Sequence, residues 1–61
     1  MMTLEEIKDY NNRPISDEEL DELIKSDFVD DYENIGQAPY FPELTAYILY
    51  LTDRSEIYVF V

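Results

Sequence analysis

"TAYILYLTDRSEIYVFV", residues 45–61, decides how this chain folds. Two arms rich in β-branched and aromatic residues flank the polar "TDRS" at 52–55, the pattern of a β-hairpin. With the loop centred on Asp53-Arg54, the opposed pairs are Tyr50 with Ile57, Leu49 with Tyr58, Ile48 with Val59 and Tyr47 with Phe60. Alternation then puts Ala46, Ile48, Tyr50, Ile57, Val59 and Val61 on one face, and Tyr47, Leu49, Leu51, Tyr58 and Phe60 on the other.

Both faces are apolar, whereas a sheet packed on one side alternates with polar residues on the other. The aliphatic face is expected to meet the helices. The face of Tyr47, Leu49, Leu51, Tyr58 and Phe60 is then expected to meet a second molecule, a homodimer partner or another protein, because tyrosine tolerates a half-wet interface. The sequence given stops within the last arm at Val61, so its edge is expected to stand bare. The competing expectation is that "PYFP" at 39–42 and the end of the acidic segment fold over the second face.

Upstream, two helix starts are marked. Thr3 precedes Glu6 by three residues and Ser16 precedes Glu19 by three, both matching a capping box. Met2 with Ile7 and Ile15 with Leu20 add a hydrophobic staple to each. The first helix is expected over Leu4–Tyr10, ending before "NNRP", since the residue preceding Pro14 is pushed out of the α region. The second starts at Asp17, and Leu20, Leu23, Ile24 and Phe28 form one apolar stripe. Ser26-Asp27 is read as restarting a short helix to Asn34, with Gly36, the only glycine, at a helix C-cap position. The whole is expected to be a single small α+β domain over residues 1–61: two short N-terminal helices packed on a C-terminal antiparallel hairpin, with the sheet extended by dimerisation.

Composition bounds the chemistry. The 61 residues contain no cysteine and no histidine, which removes disulfides, thiolate metal sites and the usual proton shuttle. Without histidine, no serine or threonine has a neighbouring imidazole as activating base. Lys8 and Lys25 sit among acids that keep them charged. One glycine makes no phosphate loop. An EF-hand starting at Asp27 would need glycine at Tyr32 and glutamate at Ala38. No enzyme, metal or cofactor is expected. The longest apolar run, near "AYILYL", is far shorter than a membrane span, and "MMTLEEIKD" has no signal-peptide pattern. The expected compartment is the cytoplasm.

The net charge is −11, from fifteen acids and four bases. It disfavours direct contact with nucleic acid or an anionic membrane and favours a basic protein surface. Residues 1–34 carry twelve acids against three bases, while residues 35–61 carry three against one. First-turn carboxylates at Glu5, Glu6, Asp17, Glu18 and Glu19 complement helix dipoles, and Asp21 is placed to pair with Lys25. Glu22, Asp27, Asp30, Asp31 and Glu33 answer no local requirement. Asp17 with Asp21 and Glu18 with Glu22 are like-charged i, i+4 pairs, each costing about 0.2–0.5 kcal/mol.

Rows of carboxylates about 6 Å apart along a helix can imitate a phosphate backbone. The leading expectation is therefore a non-enzymatic, DNA-mimic-like inhibitor of phage or mobile-element type. It would occupy the basic site of a nuclease, restriction or CRISPR effector through Asp21, Glu22, Asp27, Asp30, Asp31 and Glu33. The alternatives are an adaptor or antitoxin-like interaction module using the aromatic hairpin face, and a structural subunit of a larger assembly. The bland explanation of the acids is that they keep an otherwise sticky hairpin soluble.

Overall fold

The computed structural model describes residues 3–61, an α+β arrangement of two helices and a four-stranded mixed sheet. In chain order these are α1 (Leu4–Lys8), β1 (Arg13–Pro14), α2 (Asp17–Ile24), β2 (Val29–Gln37), β3 (Thr45–Leu51) and β4 (Glu56–Phe60). Both capping boxes form: the Thr3 hydroxyl accepts the Glu6 N–H and the Ser16 hydroxyl accepts the Glu19 N–H, each glutamate returning a bond to the cap N–H. The Met2 half of the first staple lies outside the described residues; Ile15, of the second, packs against the cluster containing Leu20.

The sheet order is β1-β4-β3-β2, with β3 antiparallel to its neighbours β4 and β2 and β1 parallel to β4. Ile7, Leu20 and Leu23 from the helices are buried with Leu49, Leu51, Ile57 and Val59 from β3 and β4. This cluster fixes one face of the hairpin as the core.

The structure departs from three expectations. The hairpin is displaced by one residue: Tyr50 opposes Glu56, Leu49 opposes Ile57, Ile48 opposes Tyr58, Tyr47 opposes Val59 and Ala46 opposes Phe60. The loop is the three residues Thr52–Arg54, closed by Leu51 N–H to the Ser55 carbonyl, with Arg54 at φ 70°. A turn followed by one left-handed residue is the usual three-residue solution. A one-residue slip exchanges the two faces of one strand, so Tyr47, Leu49, Leu51, Ile57 and Val59 face the helices together. Ala46, Ile48, Tyr50, Glu56, Tyr58 and Phe60 form the outer face.

Second, residues 29–37 are a strand and not a helix ending at Asn34. Two bulges interrupt β2, at Asp30 and at Ile35. The first lets Val29 oppose Leu51 and Tyr32 oppose Leu49, so two apolar residues three apart both turn toward the helices. Gly36, at φ 94°, takes up the second bulge and is not a helix cap.

Third, the β4 edge is not bare. Asn12 N–H donates to the Tyr58 carbonyl, Ile15 N–H to the Phe60 carbonyl, and Tyr58 N–H to the Asn11 side chain. The outer face is also partly covered from within the chain by Phe41 of "PYFP", whereas the end of the acidic segment does not fold over it but joins the sheet as β2. Phe41 lies 5.5 Å, centroid to centroid, from Phe60, and with Leu44 it closes a small cluster over Ala38, Ala46 and Phe60.

Candidate functional site

The six singled-out acids are all exposed. Asp21 and Glu22 lie on α2, whose Leu20 and Leu23 are turned into the core, so the carboxylates belong to the helical side of the sheet. Asp27 lies in the turn after α2, and Asp30 is the bulge residue of β2. Asp31 opposes Tyr50 and Glu33 opposes Ile48, which places both carboxylates on the outer face. The acids therefore do not form one row. They wrap around the β2 edge, from the helical layer, over the rim, to the opposite face of the sheet.

Little positive charge meets them. Asp21 pairs with Lys25 at 2.8 Å, the expected i, i+4 contact, and this holds the Lys25 ammonium above its ordinary value. Lys8 is engaged by Asp53 in the β3–β4 turn. Among the described residues no ion pair reaches Glu22, Asp27, Asp30, Asp31 or Glu33. Nor do three carboxylates converge closely enough to hold a metal ion.

β2 is also an edge strand of nine residues, most of them exposed. Thr45 and Val61 exchange both backbone bonds, so the odd residues of β3 bond to β4 and the even ones to β2. Tyr32 and Asn34, which oppose Leu49 and Tyr47, then aim their N–H and carbonyl groups outward. The Asp31 carboxylate accepts the outward Tyr32 N–H at 2.8 Å. Carboxylates on such an edge oppose pairing with another strand, a local role for Asp30, Asp31 and Glu33 beyond solubility.

The second set of singled-out residues divides. Leu49 and Leu51 are buried beneath the helices and Tyr47 is half-buried on the same side. Phe60 is buried under Phe41, and Tyr58, 39% exposed, looks out from the other face. The five do not make one contact surface. The rest of the outer face holds exposed Tyr58 and half-buried Ile48 and Tyr50, with exposed Asp31, Glu33 and Glu56 around them. Tyr50 donates its hydroxyl to Glu33 at 3.1 Å. That bond, with the charges of Glu33, Glu56 and Asp31 nearby, raises the phenol above its ordinary value.

Sequence reasoning assigned Ile48 and Tyr50 to the buried side and passed over Glu56. Only the loop length, three residues and not two or four, carried the correct sorting. An open cleft beside β1 is lined by Glu6, Asp9, Tyr10, Arg13 and Glu19, and both glutamates are already bound to helix-cap backbone. Among the described residues no helix is long and apolar enough to cross a membrane. No family model, no curated protein and no solved structure matches this chain.

Proposed function

We propose that this chain is a non-enzymatic binding protein that inhibits a nucleic-acid-handling protein by occupying its basic site, as a phage or mobile-element inhibitor of a nuclease, restriction or CRISPR effector would. The observation that carries this reading is the band of carboxylates around the β2 edge, of which only Asp21 is ion-paired among the described residues. Unneutralised charge of one sign steers a basic partner and costs the fold self-repulsion. Proteins that bind nucleic acid present arginine and lysine to phosphates, the charge such a band would attract.

The test is capture of a basic nucleic-acid-binding protein by the tagged chain, eluted along a salt gradient with and without added DNA. Release at moderate salt and blockade by DNA support mimicry. Asp30→Lys with Asp31→Lys is expected to abolish capture, and Asp21→Lys with Glu22→Lys to weaken it, each variant first checked for an unchanged circular dichroism spectrum. A partner retained at high salt and indifferent to DNA and to both charge reversals overturns the reading.

A second reading, an adaptor or antitoxin-like module, draws on the uncovered part of the outer face, where Tyr58 stands 39% exposed beside Ile48 and Tyr50. There aromatic contacts would dominate and salt would matter little.

A further inference from the structure

The outer face of the sheet is covered over only half its length. Toward the 38–44 loop, Phe41 and Leu44 close it. Toward the hairpin turn, in the cross-strand rows Glu56–Tyr50–Asp31 and Tyr58–Ile48–Glu33, the acids and Tyr58 are exposed and Ile48 and Tyr50 are half-buried between them. An antiparallel sheet facing water should be polar at these positions, yet each row holds at least one tyrosine and the second adds isoleucine. Around the apolar centre stand three carboxylates, and among the described residues none of them is ion-paired. Tyrosine rings and carboxylates on one half-face, with no ion pair reaching those carboxylates among the described residues, define a particular complement.

We infer that this half-face of Ile48, Tyr50, Tyr58, Asp31, Glu33 and Glu56 is a docking surface for an arginine-presenting protein partner. The inference rests on the proposal that the partner is basic, and it names where and by which side chain that partner is gripped. A guanidinium stacks on a tyrosine ring while its planar fork binds a carboxylate through two N–H donors. The Tyr50–Glu33 hydrogen bond leaves the second oxygen of Glu33 free to accept and holds the ring beside it. Lysine offers a point charge without the stacking plane, so it fills the surface less well. A second copy of this chain is the wrong occupant, because it brings the same three carboxylates and a net charge of −11 against them.

The test uses the full chain, isotope-labelled, titrated with an arginine homopeptide and a lysine homopeptide of equal length at one ionic strength. The arginine peptide is expected to bind about ten-fold more tightly and to shift the resonances of Ile48, Tyr50 and Tyr58. Tyr50→Thr with Tyr58→Thr, which keeps strand-forming residues and removes both rings, should bring the two peptides within about two-fold of each other. Asp17→Asn with Glu18→Gln, which removes two charges from α2, should leave the ratio unchanged. Equal affinities in the unsubstituted chain, or shifts confined to α2, overturn the inference. So does sedimentation showing this half-face closed by a second copy. Loss of the arginine preference while DNA-competed capture persists overturns only this surface. A preserved preference without DNA-competed capture overturns only the mimicry.

Discussion

The ammonium of Lys8 on α1 is hydrogen-bonded to the carboxylate of Asp53, 45 residues later in the β3–β4 turn. It ties the first helix to the tip of the hairpin. Asp53 also accepts the hydroxyl and N–H of Ser55. Lys8 first, and Ser55 second, hold this carboxyl far below the usual carboxylate range.

A depressed folded-state pKa contributes stability that is present above the unfolded value, near 3.9 for aspartate, and is lost as pH falls toward the folded one. Protonation of the other acids relieves self-repulsion and acts in the opposite direction. The contribution is therefore read as a difference. Urea denaturation of the unsubstituted chain and of Asp53→Asn should show a stability gap at neutral pH that narrows steadily below about pH 4. A gap constant down to pH 2 would mean that Asp53 acts through shape and not through charge. Raised salt should shrink the neutral-pH gap, since both groups are partly exposed.

Leu23 is fully buried at the junction of α2 with β3 and β4. Truncation to alanine should cost about 2–5 kcal/mol. A chain of this length has about 3–9 kcal/mol in total. Leu23→Ala is therefore expected to be largely unfolded by circular dichroism at 37 °C, while Tyr40→Ala, at an exposed position in the 38–44 loop, should melt within a few degrees of the unsubstituted chain.

Gly36 offers a clean measure of backbone strain. A Cβ added there meets no atom within 4 Å, yet φ is 94°. Gly36→Ala should destabilise by about 1–2 kcal/mol through the backbone alone. Gly36→Asn should cost less, because asparagine tolerates positive φ. Equal losses in the two variants would point instead to a side-chain effect at the second bulge.

Asp30→Asn, Asp31→Asn and Glu33→Gln together keep the shape of the β2 edge and remove its charge. Asparagine at 31 retains an oxygen for the Tyr32 N–H. Concentration-dependent self-association should follow, seen by sedimentation, because an uncharged nine-residue edge is a template for pairing. A variant that stays monomeric would show that the two bulges suffice to protect the edge.

The helix starts were legible because capping boxes are local: Thr3, Glu6, Ser16 and Glu19 satisfy one another within a turn. So was the Asp21–Lys25 pair. β2 was not legible, because the bulge at Asp30 sets Val29 and Tyr32 on one face at a spacing of three, which imitates a helix in sequence. The mixed outer face was hidden for a different reason. Whether Arg54 adopts a left-handed conformation decides the loop length, and arginine gives no advance sign of it as glycine or asparagine would. The exposure of all six acids was legible from composition; their path around an edge, from one side of a sheet to the other, required knowing that the edge exists.

The pairing of β1 with β4 has a consequence for how this molecule is made. Asn11 and Tyr58, bonded across that junction, are 47 positions apart. Closing so wide a loop is slow compared with forming helices. A ribosome working from the N-terminus delivers α1, β1, α2 and β2 before either strand that will receive them. During that interval the nascent segment carries twelve acids against three bases, a charge that opposes misassociation. The acidic residues of the first half thus repel neighbouring chains during synthesis as well, until the hairpin emerges to receive β1 and β2.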